Sequence, residues 1–197
     1  MWWLGGLVAA ASALLGATLH IRRSRRRSEE ALRRAASRDR GWVYQADSLG
    51  FLVAGRHLTR AWELLVERHA AGGHSLFTLG APDPERAWAL LVSRSGNGTA
   101  LSDAPDHPIG VPEFVRRFAL HAGSIEDAGR VLDEQMQRHL VTLDALGAEA
   151  GGRRPVLKAW VCPHGIVISL ARGLDSWREI EEMVGAGLAL ARRAGLV

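Results

Sequence analysis

The fold class of this chain is decided by residues 156–191, which read VLKAWVCPHGIVISLARGLDSWREIEEMVGAGLALA. Residues 156–161 and residues 166–171 are rich in apolar side chains and flank the turn-forming sequence CPHG, a pattern that predicts a β-hairpin. Ser176 precedes Glu179 by three positions, which is the spacing of a capping box, and apolar residues then recur at helical spacing. The stretch therefore predicts a core hairpin followed by an amphipathic helix.

Earlier in the chain, short aromatic and β-branched stretches predict four further strands, at residues 42–45, 49–54, 75–79 and 88–93. Residues 59–71 permit two interpretations. Trp62, Leu64 and Val66 alternate with Glu63, Leu65 and Glu67, as in a half-buried strand. Thr59 and Gly72 are also suitable residues to begin and end a helix. The alternation favours a strand.

A loop and a helix are predicted between these strands and the hairpin. Residues 101–112 contain three prolines and no apolar period, which is typical of a loop, and residues 114–121 predict a strand or an extended lead-in. One continuous helix is predicted from Ser124 onward, with an apolar stripe formed by Ile125, Ala128, Leu132, Met136, Leu140 and Leu143. This order of elements predicts the α+β class, with a mainly antiparallel sheet and helices packed on one face.

The charge of the chain is concentrated in one short segment. The formal net charge is +4 and the sequence pI is about 10.4, values that suggest a nucleic-acid-binding protein. Residues 1–21 carry no charged side chain, residues 22–40 hold nine arginines and a net charge of +6, and the remaining 157 residues have a net charge of −2. Because the basic segment lacks interleaved aromatic residues and matches no nucleic-acid module, no nucleic-acid partner is predicted.

The N-terminal sequence has the pattern of a membrane anchor. Residues 2–21 are uncharged and mainly apolar, and as a helix they would extend about 30 Å, the thickness of the hydrocarbon core. Trp2 and Trp3 lie at one end, where indole rings favour the membrane interface, and the arginines lie at the other end. Because basic residues follow the apolar run rather than precede it, an uncleaved anchor is favoured over a signal peptide or a buried helix of a soluble domain.

These patterns predict three parts of the chain. Residues 1–21 are a transmembrane anchor, residues 22–40 are an Arg-rich juxtamembrane helix, and residues 41–197 are a cytoplasmic α+β domain. Since arginine-rich flanks stay in the cytoplasm, the N-terminus is expected outside. The predicted location is the bacterial inner membrane, crossed once.

Two sets of residues in the N-terminal part are candidate binding sites. Small residues at intervals of about four allow another helix to approach closely in the membrane, and they comprise Gly5, Ala9, Ser12, Ala13, Gly16 and Ala17. A second set could bind anionic lipid headgroups or an acidic partner, or could act only as a topology signal; it comprises Arg22, Arg23, Arg25, Arg26 and Arg27. Membrane lipids and an integral-membrane protein are therefore the predicted partners.

The search for catalytic residues gives one candidate pair, Cys162 and His164. A cysteine nucleophile needs a base nearby, and His164 is two residues away. A tight turn does not require the two side chains to face one another, however, and a buried structural cysteine in a hairpin is the more common arrangement. The eight histidines are scattered and show no metal-ligand spacing. No catalytic residue, metal site or cofactor is predicted.

The overall arrangement resembles that of uncharacterised bacterial proteins with one N-terminal anchor and a cytoplasmic domain of unknown function. The matching points are the anchor with its arginine run, residues 40–44 (RGWVY), residues 118–121 (FALH) leading into a helix, and residues 165–168 (GIVI) before residues 180–184 (IEEMV). The resemblance implies the same topology, and it supplies no activity and no catalytic residues.

The function predicted from the sequence is a non-catalytic accessory or scaffold subunit of an inner-membrane protein complex. The anchor would pack against a partner helix and the cytoplasmic domain would dock on the same complex. One alternative is a membrane-anchored enzyme or redox sensor that uses Cys162 and His164. A second alternative is a module that binds anionic lipids through residues 22–40.

Overall fold

The computed structural model describes residues 29–69, 72–80, 90–94, 110–122, 124–146, 157–162 and 164–197. The chain divides into two compact units, Met1–Gly41 and Trp42–Val197. In the first unit, residues 29–39 form a helix, α1. Gly41 follows it with φ of +67°, a left-handed conformation that glycine adopts without strain after a helix. The predicted end of this helix before Gly41 is confirmed.

The predicted membrane span lies outside the described residues, as does the arginine-rich sequence up to residue 28. Among the helices that the structure describes, none is both long enough and apolar enough to cross a membrane.

The second unit contains one antiparallel sheet, to which its described residues contribute eight strands. These are β1 (Val43–Ala46), β2 (Gly50–His57), β3 (Arg60–His69), β4 (Gly72–Gly80), β5 (Leu90–Arg94), β6 (Phe118–Ala122), β7 (Leu157–Cys162) and β8 (Gly165–Leu170). Their spatial order is β1-β2-β3-β4-β8-β7-β5-β6, and every neighbouring pair is antiparallel. The α+β class with an antiparallel sheet is confirmed.

Four helices accompany the sheet in the described residues of this unit. They are α2 (Pro112–Arg117), α3 (Ile125–Val131), α4 (Glu134–Leu146) and α5 (Trp177–Arg193). Helix α5 packs on β4 and β8, whereas α2 and α3 pack on β6 and α4 packs on α2 and α5. Trp62, Leu64 and Val66 are at most 2% exposed and belong to the core that these helices cover.

The interpretation of residues 59–71 as a strand is confirmed, because β3 runs from Arg60 to His69. Strand β2, however, does not end at Gly55 as predicted. It continues to His57 because residues 55–57 remain paired with residues 60–62 of β3. A Cβ atom at position 55 would lie 2.5 Å from Trp62 Cζ2. The glycine therefore makes room for a core tryptophan rather than breaking the strand.

Two predictions for the middle of the chain are only partly correct, although residues 118–121 are extended as predicted. Residues 114–117 are helical rather than extended, because Pro112 begins α2, Phe114 anchors it in the core, and Glu113 accepts a hydrogen bond from Arg117 at 2.8 Å. The single helix predicted from Ser124 is two helices. Its interruption lies at Asp133, whose carboxylate accepts the Met136 backbone N–H at 2.7 Å and so caps the start of α4.

The hairpin and final helix predicted from residues 156–191 are confirmed as β7, β8 and α5. Ser176 Oγ accepts the Glu179 backbone N–H at 3.2 Å, and Glu179 in turn accepts the Ser176 backbone N–H at 2.9 Å, which is a complete capping box. Gly187 makes a close approach to the sheet, since a Cβ atom there would lie 2.2 Å from Phe77 Cε1. Gly185 does not, because nothing lies within 4 Å of a Cβ atom at that position.

Candidate docking surface

The sheet has two faces of different character, since successive side chains of a strand point to opposite sides. One face is buried under the helices, and Phe77 of β4 lies directly against Gly187 of α5. We call the opposite side the open face. On β3 the contrast is sharp, because Leu64 and Val66 are fully buried whereas Leu65, between them on the open face, is 39% exposed. The open side of β3 is therefore accessible at Leu65, whereas the opposite side is not.

Three leucines from adjacent strands form a continuous apolar row across the open face. Leu65 pairs in register with Leu52 on one side and with Leu76 on the other. Leu52 and Leu76 are half-buried. We call these three residues the leucine row. Directly opposed side chains of an antiparallel sheet are in contact, so the row is one apolar surface rather than three separate ones.

The leucine row continues into polar residues toward the centre of the sheet. Leu76 pairs with Ser169 of β8, and Ser169 pairs with Lys158 of β7. A second row on the same face brings Val167 opposite Trp160, whose side chain is half-buried. The open face thus has an apolar region over β2–β4 and a mixed region over β8 and β7.

Carboxylates flank the leucine row. Glu63 and Glu67 lie two residues to either side of Leu65 on the same face of β3, and Glu63 is exposed. Asp47 is exposed in the turn between β1 and β2, where its Oδ1 accepts the Leu49 and Gly50 backbone N–H groups at 2.7 and 2.9 Å. Charges of both signs lie near the leucines, because Lys158 continues the same row and His74 pairs in register with Glu67.

A groove of about 380 Å³ opens at the β1 end of the leucine row. Its lining includes Leu49, Leu52, Leu65, Asp47 and Glu67. The turn beside it is fixed by close packing as well as by hydrogen bonds, because a Cβ atom at position 50 would lie 1.9 Å from the Val66 carbonyl oxygen. Leu49, at the tip of this turn, is 62% exposed. The groove thus combines leucine side chains with polar groups, among them the carboxylates of Asp47 and Glu67.

The open face also holds a serine–histidine contact. His74 Nε2 and Ser169 Oγ lie 2.9 Å apart, and the tautomer of the ring decides which of them donates. A nucleophilic serine needs donors for a developing oxyanion in addition to a base. The backbone N–H groups of β4 and β8 are engaged in the sheet, because each of these strands is paired on both sides. The contact therefore links β4 to β8 and does not form a complete acyl-transfer site.

Cys162 and His164 are placed differently from each other. Cys162 ends β7 and is only 3% exposed, whereas His164 lies in the turn and is exposed. Arg60 reaches this turn, but its Nη1 donates to the His164 main-chain carbonyl oxygen at 2.8 Å rather than to the ring. Reactive cysteines lie in accessible, electropositive surroundings, and the burial of Cys162 favours the structural interpretation of this hairpin.

Two carboxyl groups with a shifted pKa belong to helix caps rather than to the open face. Burial alone would raise the pKa of Glu179, but the backbone N–H groups of Ser176 and Asp175 and the Arg172 guanidinium, which donates at 2.7 Å, hold it below its usual value. A hydrogen bond from Arg193 at 2.8 Å likewise lowers the pKa of Asp133. Both shifts reflect stabilised helix starts.

The small-residue set from Gly5 to Ala17 and the arginine set from Arg22 to Arg27 lie outside the described residues. In the part of the chain that the structure describes, no group of three or more His, Cys, Asp or Glu residues is arranged to hold a metal ion.

Sequence reasoning did not identify the open face as a site. The signal was present in β3, where Leu65 stands between Glu63 and Glu67 on the polar side of the alternation. A single apolar residue at that position does not by itself predict a binding surface. The surface forms because the register of the strands places Leu52 and Leu76 beside Leu65.

No protein-family profile matches the chain, and neither a curated protein nor a solved structure shows detectable similarity to it.

Proposed function

We propose that the chain is a non-catalytic adaptor of the bacterial inner membrane whose α+β domain binds a protein partner through the open face. In this proposal residues 1–21 anchor the chain with its N-terminus outside. Residues 22–40 form the juxtamembrane helix, and the domain that follows lies in the cytoplasm. The small-residue set in the anchor packs against a membrane helix of the same partner complex.

The leucine row is the observation that carries the proposal. Leu65 is 39% exposed on β3, whose opposite side carries the buried Trp62, Leu64 and Val66. A contiguous apolar surface rimmed by polar residues is typical of protein-binding sites. Covering three leucine side chains would contribute a few kcal/mol at about 25 cal/mol per Å² of apolar surface, which is the scale of an interface centre.

Binding is favoured over catalysis by the chemistry of this face. The His74–Ser169 contact lies among strands whose backbone donors are already engaged, and the Cys162 side chain is buried. Neither arrangement offers a nucleophile together with an oxyanion site. The groove beside the leucine row supplies shape and apolar surface rather than reactive groups.

Purification from the native host in mild detergent tests the proposal. The tagged chain should retain a stoichiometric membrane-protein partner, and Leu65→Glu should release it by placing a charge in the centre of the interface. Ile125→Glu is the matched control, because Ile125 is 57% exposed but lies on α3, on the helical side of the domain. This variant should retain the partner.

A monomeric wild-type chain without a partner would contradict the proposal. So would a Leu65→Glu variant that retains the partner as fully as the wild type, because the open face would then not be the binding surface. Similar circular dichroism spectra for both variants would show that any loss does not come from unfolding.

A further inference from the structure

The sheet ends at β1, and no other strand of the described residues pairs with the outer edge of this strand. Val43, Gln45 and Ala46 are exposed. Ala46 belongs by register to the helix-covered side of the sheet, because it pairs with the buried Phe51, and yet it is exposed. The edge of β1 is therefore accessible from both sides of the sheet.

The hydrogen-bond pattern of β1 shows which of its backbone groups face outward. The Asp47 N–H donates to the Gly50 carbonyl oxygen at 3.1 Å, and in an antiparallel ladder every second residue bonds to the neighbouring strand in this way. Gln45 has the same phase as Asp47 and bonds to β2. Tyr44 and Ala46 therefore direct their N–H and C=O groups away from β2, where an added strand could pair with them.

The side chains of β1 suit pairing with an identical strand. Natural sheet edges are commonly protected by charged residues or proline, and the sequence VYQA of Val43–Ala46 contains neither. Where two identical antiparallel strands meet across a twofold axis, the central residue faces its own copy. Gln45 lies midway between the outward groups of Tyr44 and Ala46, and its amide can both donate and accept a hydrogen bond. A charged residue at this position would instead repel its copy.

The shortness of the edge favours a preformed strand over a flexible peptide. Only Tyr44 and Ala46 offer outward backbone groups in β1, so few hydrogen bonds are available to an added strand. A flexible peptide would lose backbone entropy on binding that these few bonds would not offset. In a second copy of the chain, β1 is already held extended by its register with β2, and this loss is avoided.

We propose that β1 pairs with β1 of a second copy of this chain, antiparallel and about a twofold axis at Gln45. Tyr44 of each copy then exchanges backbone hydrogen bonds with Ala46 of the other, and the two sheets become one. Because Leu52 pairs in register with Gln45, the leucine rows of the two copies lie in line on one surface. This inference goes beyond the proposed function and does not depend on the identity of a docking partner.

Disulfide cross-linking of the full chain in mild detergent tests the register of this pairing. The Cα atoms of the two copies of residue 45 would be about 4.5 Å apart, a separation at which disulfides form. The two copies of residue 43 would be about 14 Å apart, since residue 43 of one copy faces residue 47 of the other. Mild oxidation of Gln45→Cys should therefore give a disulfide-linked dimer, whereas Val43→Cys, the matched control on the same side of β1, should give only a trace. The wild-type chain, whose only cysteine is the buried Cys162, is the blank.

Charge substitution at the proposed axis is a second test. Two differently tagged copies of the full chain are co-expressed, and the fraction of one that is recovered with the other is measured. Gln45→Glu in both copies, or Gln45→Lys in both, should lower this fraction about tenfold, because like charges then meet and the amide pair is lost. Gln45→Glu in one copy with Gln45→Lys in the other should restore it, which would also show that neither substitution unfolds the domain. Glu63→Lys, at an exposed position of β3, is the control and should leave the fraction unchanged.

The outcomes separate this inference from the docking function. Equal dimer yields from Gln45→Cys and Val43→Cys, or a Glu–Lys combination that restores nothing, would overturn the pairing of β1. Leu65→Glu added to Gln45→Cys should leave the dimer yield unchanged, because Leu65 lies on the open face rather than at the edge. If that variant retains both the dimer and the native partner, the docking function fails and the pairing of β1 stands.

Discussion

Two glycines of α5 allow a test of which face of the sheet the helices cover. The quantity measured is the stability of the domain after each glycine is replaced by alanine. Gly187 faces β4, and a Cβ atom there would lie 2.2 to 2.5 Å from three atoms of the Phe77 ring, which is fully buried. Gly185 is two residues away in the same helix and has nothing within 4 Å of an added Cβ atom. Replacement by alanine therefore has opposite consequences at the two positions.

The magnitudes follow from two effects. Alanine is preferred over glycine in a helix by about 1 kcal/mol, so Gly185→Ala should stabilise the domain by up to that amount. Gly187→Ala has the same benefit but overpacks the core, at a cost of about 3 kcal/mol, the upper end of the usual range, because the Phe77 ring stacks against Trp62 at 6.0 Å and has little room to move. The net change at Gly187 is a destabilisation of about 2 kcal/mol.

Thermal unfolding of the full chain in mild detergent, followed by tryptophan fluorescence, measures the difference. The two variants should differ by about 3 kcal/mol, which corresponds to roughly 6–12 °C in Tm for a domain of this size. If Gly187→Ala melts at or above the Tm of Gly185→Ala, α5 does not lie on β4. The helices would then not lie on the side of the sheet opposite the leucine row.

Three further predictions concern the cap, the thiol and the membrane topology. Because the pKa of Glu179 is lowered in the folded domain, its stabilising contribution is present above the unfolded value of 4.5 and lost as the pH falls through the folded value. Glu179→Gln should therefore cost about 2 kcal/mol in urea unfolding at pH 7 and progressively less under acid conditions, and a constant difference at all pH values would contradict this. The Cys162 thiol should react with a disulfide reagent only after denaturant is added, and rapid stoichiometric labelling of the native chain would show that the burial is wrong. A green fluorescent protein fused after Val197 should fluoresce in the membrane fraction, whereas alkaline phosphatase at the same position should be inactive, and the opposite pair of results would reverse the proposed topology.

The secondary structure was most predictable where local chemistry and packing agree. The capping box of Ser176 and Glu179 is encoded within four residues, and the structure contains both of its hydrogen bonds. The hairpin of β7 and β8 was predictable for the same reason, since both strands are apolar on either side of a turn. These elements required no knowledge of distant contacts.

The wrong predictions arise where a distant contact overrides the local pattern. The apolar stripe from Ala128 to Leu140 fits one helix, but Asp133 caps a new helix and also binds Arg193, which is 60 residues away in sequence. In the sequence, Gly55 indicates the end of a strand. In the structure the strand continues, and the Trp62 indole lies against Gly55. The salt bridge of Asp133 with Arg193 and the contact of Gly55 with the Trp62 indole both involve residues outside the local sequence window. A local pattern therefore could not predict either of them.

The candidate docking surface could not have been predicted from the sequence because it is a property of register. Leu52, Leu65 and Leu76 are separated by 13 and 11 positions, and only Leu65 stands on the polar side of an alternation in the sequence. The pairing of β2, β3 and β4 makes them neighbours, and the helices on the other face leave them accessible.

Site-specific photo-cross-linking in living cells tests the docking claim most directly. A photoreactive amino acid at position 65 should cross-link to one protein partner. The same amino acid at position 125, on the helical side, should give no such product. Cross-linking of the partner from position 125 and not from position 65 would show that the domain docks through the opposite face, and the account would be wrong.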